Sequence, residues 1–430
     1  MKSQEEEAVT ISRRLFAACA VLAFAALSAC SSGGSSPPST VTLNFWTGFT
    51  GGDRPAYESL IKQFNDTHPN IQVTMNVQPW DTIAQKLPAA LGTGQGPDLA
   101  TPDYNAGTIR QYAKSGLILP LDEAYGSSNS KIDKAALPPK VVEGFQVNGK
   151  SYAVPANFAT LLLYYNKDAL AEVGLSGPPK TMQEFADDAV KLTKKDSSGK
   201  VVRYGIALAD HQTISMWPIL IWNNRGDLTN QSGCSALTDP NTVAALKTWG
   251  DLVVQKNISP VGLTGQEADN LFAAKKAAME MNGPWAAGQY GPAGVSFDVA
   301  PIPVGPGGPV TLASAVPIVV SKNTKNKDAA FQFLAWWTGK KAQGSLALQS
   351  GFPPARVDMA SDTSLAQNPF VPKFAAAAPF ARLYLPNLDK FSQVDSDVIY
   401  PAINKITRGE SADTVLAAAS KQMNALISGC

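Results

Sequence analysis

Histidine and cysteine are scarce in this chain: 2 and 4, respectively, among 430 residues. With only His68 and His211, and no Cys-x-x-Cys spacing, a metal centre built from imidazole and thiolate has little material. Clustered basic residues are also missing. Lys+Arg number 36 against Asp+Glu 35, dispersed along the chain, for a net charge of +1. Nucleic acid requires grouped cations to neutralise its phosphates, so it is excluded as a partner. The apolar run Leu15–Leu27 is about 13 residues, short of the ~20 that a membrane-spanning helix needs. There is no Gly-x-Ser-x-Gly elbow and no His-Glu-x-x-His pair. Their absence removes the common hydrolase and metalloprotease signatures. No repeat with a period of 20–50 residues is present, which argues against a solenoid.

What is present begins with an export signal. Arg13 and Arg14 precede the apolar run, which ends in Leu27-Ser28-Ala29-Cys30. A positive flank, a short apolar core and small residues before a cleavage point are the parts of a secretory signal. The ending looks like the lipobox of bacterial lipoproteins, which implies removal of residues 1–29 and acylation of Cys30. Ser12-Arg13-Arg14-Leu15-Phe16 also resembles a twin-arginine motif, leaving the general and the twin-arginine export routes both open. Residues 30–40 are rich in Ser, Gly and Pro and read as a lipidated start with a flexible leash. Expected localisation is therefore extracytoplasmic, anchored to the membrane by lipid. Cys234 and Cys430 then remain; they either pair in an oxidising compartment or leave Cys430 as a terminal thiol.

The remaining ~400 residues exceed one core and suggest two lobes. Val41–Trp46 reads as a strand, Thr47–Asp53 as a Gly-rich loop, and Tyr57, Leu60, Ile61 and Phe64 as one face of a helix. Ile71–Val77 alternates as a second strand, Thr82–Leu91 fits a helix, and Asp98–Ala100 is a short third strand. Leu161–Tyr165, Val299–Ile302 and Pro317–Val320 add strands. Helices are expected at 182–193, 242–255, 267–274, 327–337 and 412–427. This order implies an α/β fold on parallel sheets, with ligands bound beyond the carboxyl ends of strands. The loops Thr47–Asp53 and Thr101–Ala106 are therefore the ones to inspect.

The ordered landmarks FNDTHPNIQV (64–73), GPDL (96–99), GLILPL (116–121), YAVPANFATLLLYYNKDAL (152–170), FAAKKAAMEMNGPW (272–285), PIPVG (301–305) and GFPPAR (351–356) make the chain similar to a known family. They resemble the extracellular solute-binding proteins of ABC importers, of the carbohydrate type that includes maltose-binding protein. The resemblance implies a two-lobed fold closing by a hinge on a small solute, with delivery to permease subunits served by a cytoplasmic ATPase. It implies crossings near Pro155–Thr160, near Leu312–Val316 and after Arg356. One lobe is then expected over 41–156 with 313–358, the other over 157–312 with 359–430. No cofactor is implied. Where many relatives carry Gly-Gly at the second crossing, this chain has Leu312-Ala-Ser-Ala315, so Ser314 offers a hydroxyl there.

Sugars present apolar faces and a belt of hydroxyls, so aromatic platforms beside polar groups are the candidates. Trp285, in NGPW, aligns with a family position that stacks on sugar, the alternative being a core residue. Trp46 and Thr47 end the first strand, and Trp217 and Trp222 flank an apolar segment; each is either cleft wall or core. Asp103, Tyr104 and Asn105 match positions that bind sugar hydroxyls in relatives, or simply satisfy a turn. Asn157 and Thr160 fall at the expected hinge, His211 and Gln212 in a loop of the second lobe. Arg356 closes GFPPAR and points either into the cleft or outward. A sugar, from mono- to oligosaccharide, is the expected solute, with glycerol-3-phosphate or a glycerophosphodiester as the alternative. A two-carboxylate glycosidase and a passive adhesion lipoprotein are the other classes weighed; the landmarks favour binding without turnover.

Overall fold

Helix formation starts from the periodicity just described. In the computed structural model, Ala56, Tyr57, Leu60, Ile61 and Phe64 form the buried face of the helix Arg54–Thr67. Residues 40–430 are described, except 104–105, 129, 212–215, 387 and 389 and the side chain of Ala106. The export signal, Cys30, most of the leash, Tyr104, Asn105 and Gln212 thus lie outside the described residues.

The first lobe is built on a five-stranded sheet in the order Ile71–Val77, Val41–Thr47, Leu99–Ala100, Pro317–Val320, Val154–Pro155. The first three strands run parallel, joined by the helices Arg54–Thr67 and Trp80–Thr93. The second lobe holds another five-stranded sheet, ordered Phe297–Ala300, Leu162–Asn166, Ala277–Asn282, Val201–Ala207, Lys194–Lys195. The sheets are mixed rather than purely parallel. Pro317–Val320 runs antiparallel to both of its neighbours, and Leu162–Asn166 does the same in the second lobe. The cause is chain path: strands arriving from the other lobe enter each sheet from the opposite end.

Between the lobes lies a three-stranded sheet, Ala381–Leu383, Thr311–Ser314 and Ala159–Thr160. Ala159–Thr160 pairs with Ala313–Ser314, and one step along the chain Val154–Pro155 pairs with Pro317–Ile318. The two segments thus cross together, and Asn157 staples them. Its side-chain oxygen accepts from the Val316 nitrogen at 3.3 Å while its amide donates to the Tyr57 hydroxyl at 2.5 Å.

The expected helices are present, two of them fixed by capping boxes, Thr181 with Glu184 and Thr264 with Glu267. Elements not anticipated include the strand Ala277–Asn282, buried along its whole length, and a helix over 391–407. That helix contains a π-turn at Asp395–Ile399, followed by Pro401. Proline has no N–H for the carbonyl of Asp397 four residues back, and Gln422 Nε2 supplies the missing donor at 3.1 Å. Cys234 and Cys430 form a disulfide with Cα atoms 5.6 Å apart, tying the last residue to a loop of the second lobe.

Candidate functional site

The carboxyl ends of the strands converge on a cavity of about 930 Å³ between the lobes. From the first lobe come Thr50, after the first strand, Pro79, Trp80 and Gln85, after the second, and Pro102 and Asp103, after the third. From the second come Asp210 and His211, beyond the strand Val201–Ala207, with Thr264 and Gln266. The π-bulged helix closes the wall with Phe391, Ser392, Asp395, Ser396, Tyr400 and Asn404. Among the described residues that line it there is no lysine or arginine.

Trp80 is held by what lies beneath it. A Cβ on Gly48 would fall 2.1 Å from the indole, so the ring rests directly on glycine backbone. Phe49 meets Trp80 edge-on and stacks on Tyr57 with centroids 3.7 Å apart; Tyr57 in turn lies parallel to Trp337. This aromatic column anchors the Gly-rich loop from behind and holds a half-buried tryptophan at the cavity wall.

Opposite, Asp210 organises the second-lobe wall. One carboxylate oxygen accepts from His211 Nδ1 at 2.5 Å; the other accepts from the Gly262 nitrogen at 3.1 Å and from Asn404 Nδ2 at 2.9 Å. With Nδ1 engaged, Nε2 is the His211 nitrogen left for a ligand. Asp395 is buried and accepts from the Tyr384 hydroxyl at 2.6 Å; burial pushes its carboxyl up to about 6. It therefore stands at the wall as a group that exchanges acceptor for donor character in mildly acid medium.

The lobes touch on both sides of this cavity. Glycines 51 and 52 pack on Trp285, Gly288 and Gln289, and Gly107 packs on the ring of Phe391. Trp285 and Phe352 meet across the seam with centroids 6.2 Å apart. The arrangement is closed.

Of the residues singled out from the sequence, the structure brings Asp103 and His211 to the cavity. Trp285 sits at the closing seam, its ring against Gly283. Other placements correct the expectation. Trp217 is core of the second lobe, its indole donating to the Ala209 carbonyl at 3.1 Å, because its helix is buried on every side. Trp46 is partly buried against the core beneath the helix Trp80–Thr93, and Thr47 is buried under its own loop. Asn157 spends its amide oxygen on Val316 in the joint and its nitrogen on Tyr57 of the first lobe, and Thr160 donates to the Phe374 carbonyl at 2.8 Å. Ser314 is buried in the joint sheet opposite Ala159. Arg356 lines a different cavity, behind the joint, and binds Asp358 through two nitrogens at 2.9 Å each and the Thr338 carbonyl at 2.8 Å. Trp80, Asp210 and the helix over 391–407 went unrecognised. Trp80 had a legible signal, an aromatic directly after a strand and a proline; the helix had none, since Pro401 interrupts its pattern.

Residues 50–344 match the family described as bacterial extracellular solute-binding protein. The maltotriose-binding protein of Pyrococcus abyssi is 26% identical over 371 residues, covering 81% of this chain and 74% of its own. An sn-glycerol-3-phosphate-binding periplasmic protein of Rhizobium meliloti is 24% identical over 336 residues, covering 75% and 76%. Among solved structures, the GacH receptor of Streptomyces glaucescens, determined unliganded and with acarbose, superposes with a TM-score of 0.79 at 24% identity, covering 91% of this chain and 99% of that one. The last likeness concerns the two-lobed fold.

Proposed function

Because this chain belongs to the bacterial extracellular solute-binding proteins, which bind for transporters and are not enzymes, we propose that it captures a neutral saccharide in the front cavity and delivers it to an ABC permease. The observation that carries this reading is the lining of that cavity: the half-buried indole of Trp80 and hydrogen-bonding side chains from both lobes, with no lysine or arginine among the described residues that line it. A sugar needs an apolar platform and neutral or acidic acceptors for its hydroxyls. A phosphate needs cations or many amide donors. The glycerol-phosphate reading, which one group of relatives favours, meets carboxylates here where it needs positive charge.

In this reading Trp80 is the platform, Asp103 and His211 bind hydroxyls from opposite lobes, and Trp285 contacts the solute at the seam. The lobe boundaries expected from the sequence are part of the same proposal. The solute touches both lobes only in the closed state, so it favours that state by its differential affinity. The permease then meets a closed, loaded receptor. Lipid on Cys30 and a leash of ~10 residues, at most ~36 Å extended, would keep the lobes within reach of the membrane.

A thermal-shift panel of neutral sugars and glycerophosphodiesters tests the assignment, since a ligand stabilises by RT ln(1 + [L]/Kd). A shift with at least one saccharide and none with the phosphates is expected. Shifts with phosphodiesters alone would overturn it. Cys30→Ala is expected to leave these shifts intact and to release the protein from membranes on fractionation.

A further inference from the structure

Three carboxyl groups lie at or just behind the seam where the lobes meet, and among the described residues no cation accompanies them. Asp53 ends the Gly-rich loop of the first lobe and is buried. Its neighbours press on the second lobe closely: a Cβ on Gly52 would sit 2.8 Å from the Gln289 nitrogen, and one on Gly288 2.5 Å from the Gly52 oxygen. Beyond that contact, Asp269, half-buried on the helix Gly265–Ala273, lies against Glu280, fully buried on the strand Ala277–Asn282. Asp269 accepts from Asn282 Nδ2 at 2.7 Å, and the Tyr290 hydroxyl donates to Glu280 Oε2. Glu280 Oε1 is buried and, as a carboxylate oxygen, has no donor; a proton shared with Asp269 satisfies it.

The groups facing Asp53 are few. Tyr57 lies on its own helix, with Asn157 behind it, and Asp269 lies across the seam. Arg54, next in sequence, is half exposed and paired with Glu58 at 2.7 Å. Tyr164 and Tyr290, the remaining titratable groups of the cluster, are acids and bring no positive charge. Among the described residues no group of three or more acidic, His or Cys side chains is arranged to hold a metal ion, and the backbone contact is too tight for an ammonium group. The proton is the counter-charge that fits. Asp269 and Glu280 belong to one lobe, whereas Asp53 belongs to the other.

We propose that closing the lobes takes up a proton at Asp53, so that solute capture is proton-linked and strengthens in acid. Burial, reinforced by the charge of Asp269, pushes the Asp53 carboxyl up to about 7 in this closed form. Opening returns it to water and to the ordinary carboxylate range near ~4. Between those values the closed form holds more protons than the open one. Closure therefore gains as pH falls from ~7 towards ~4, and that advantage is gone once pH rises through ~7. The inference rests on closure as proposed above, not on which solute is bound.

Two measurements test it, each at about pH 5.5 and about pH 8, on the wild type and on Asp53→Asn. Small-angle scattering of solute-free protein should show the wild type more compact in acid and the variant equally compact at both values. Calorimetry with the saccharide found in the panel should give roughly tenfold or more higher affinity in acid, with uptake of about one proton per binding event. The compaction difference should vanish in the variant, and the affinity difference should shrink to what Asp395 at the cavity wall contributes. A variant that keeps the wild-type pH response overturns the proposal. Should Asp53→Asn fail to fold, Asp269→Asn removes the facing charge and should narrow the pH difference; an undiminished difference is equally contrary. If no saccharide binds while the scattering change persists in the wild type alone, the solute assignment fails and the proton link stands.

Discussion

Two cavities flank the three-stranded joint, and the larger is not the one to which the strands point. The rear cavity, of about 1190 Å³, is walled by 138–144, 353–363 and 371–386, a stretch dominated by Pro and Ala. The two arginines in its wall already have carboxylate partners. Arg356 binds Asp358, holding that carboxyl down to about 2, and Arg382 lies over Trp222 at 4.5 Å while binding Asp227 at 2.5 Å. The front cavity is smaller, but it gathers the loops after four strand ends and has the half-buried Trp80 in its wall. Volume measures how far two lobes stand apart; strand polarity and the chemistry of the lining decide where a solute is held.

The comparison can be broken most forcefully at the front seam. Gly52→Ala places a Cβ against the Gln289 backbone, which cannot rotate away as a flexible side chain could. Closure should be blocked and affinity should fall by about 100-fold or more, ~2.7 kcal/mol. Calorimetry reads this directly, and an affinity within threefold of wild type would show that capture does not need this contact. Trp80→Ala should cost about 1–3 kcal/mol of binding, by analogy with removal of other aromatic stacking partners. Unchanged affinity would return Trp80 to the status of a loop support.

A subtler change concerns Asp395. Its raised carboxyl means that the folded chain keeps a proton that the unfolded chain loses first, so stability from this site is present below ~4 and lost as pH rises through ~6. Asp395→Asn should therefore raise the melting temperature at about pH 7.5 and leave it near wild type at about pH 4.5. Scanning fluorimetry would show it, and an equal shift at both values would contradict the sign. The smallest effects belong to the rear. Lys140→Ala and Val357→Ser alter exposed residues of that cavity and should leave affinity within about twofold. A tenfold loss from either would erase the distinction between the two cavities.

What could be read from the sequence followed how much of each element faces water. The helix Arg54–Thr67 shows its buried stripe at Tyr57, Leu60, Ile61 and Phe64 because its other side is solvated. Ala277–Asn282 is buried on both faces, so it has no alternation, and it carries Glu280 and Asn282 inside; only their contacts with Asp269 and Tyr290 make them tolerable. The helix over 391–407 is masked by Pro401, whose cost is met by a glutamine from a distant helix. The site divides in the same way. Asp103 and His211 stand where short loops leave strand ends. Trp217 and Arg356 look like cleft residues by type, but their partners, Ala209 and Asp358, draw them elsewhere. Long-range partners of this kind are not encoded in local spacing.

The measurement that bears most directly on the account is hydrogen–deuterium exchange with and without a saturating saccharide that shifts the melting temperature. The account predicts slowed exchange in 47–53, 79–85, 101–103 and 391–404, the segments around the front cavity and its seam, with 138–144 and 353–363 unchanged. Protection confined to the rear segments, with the front loops exchanging as before, would contradict it.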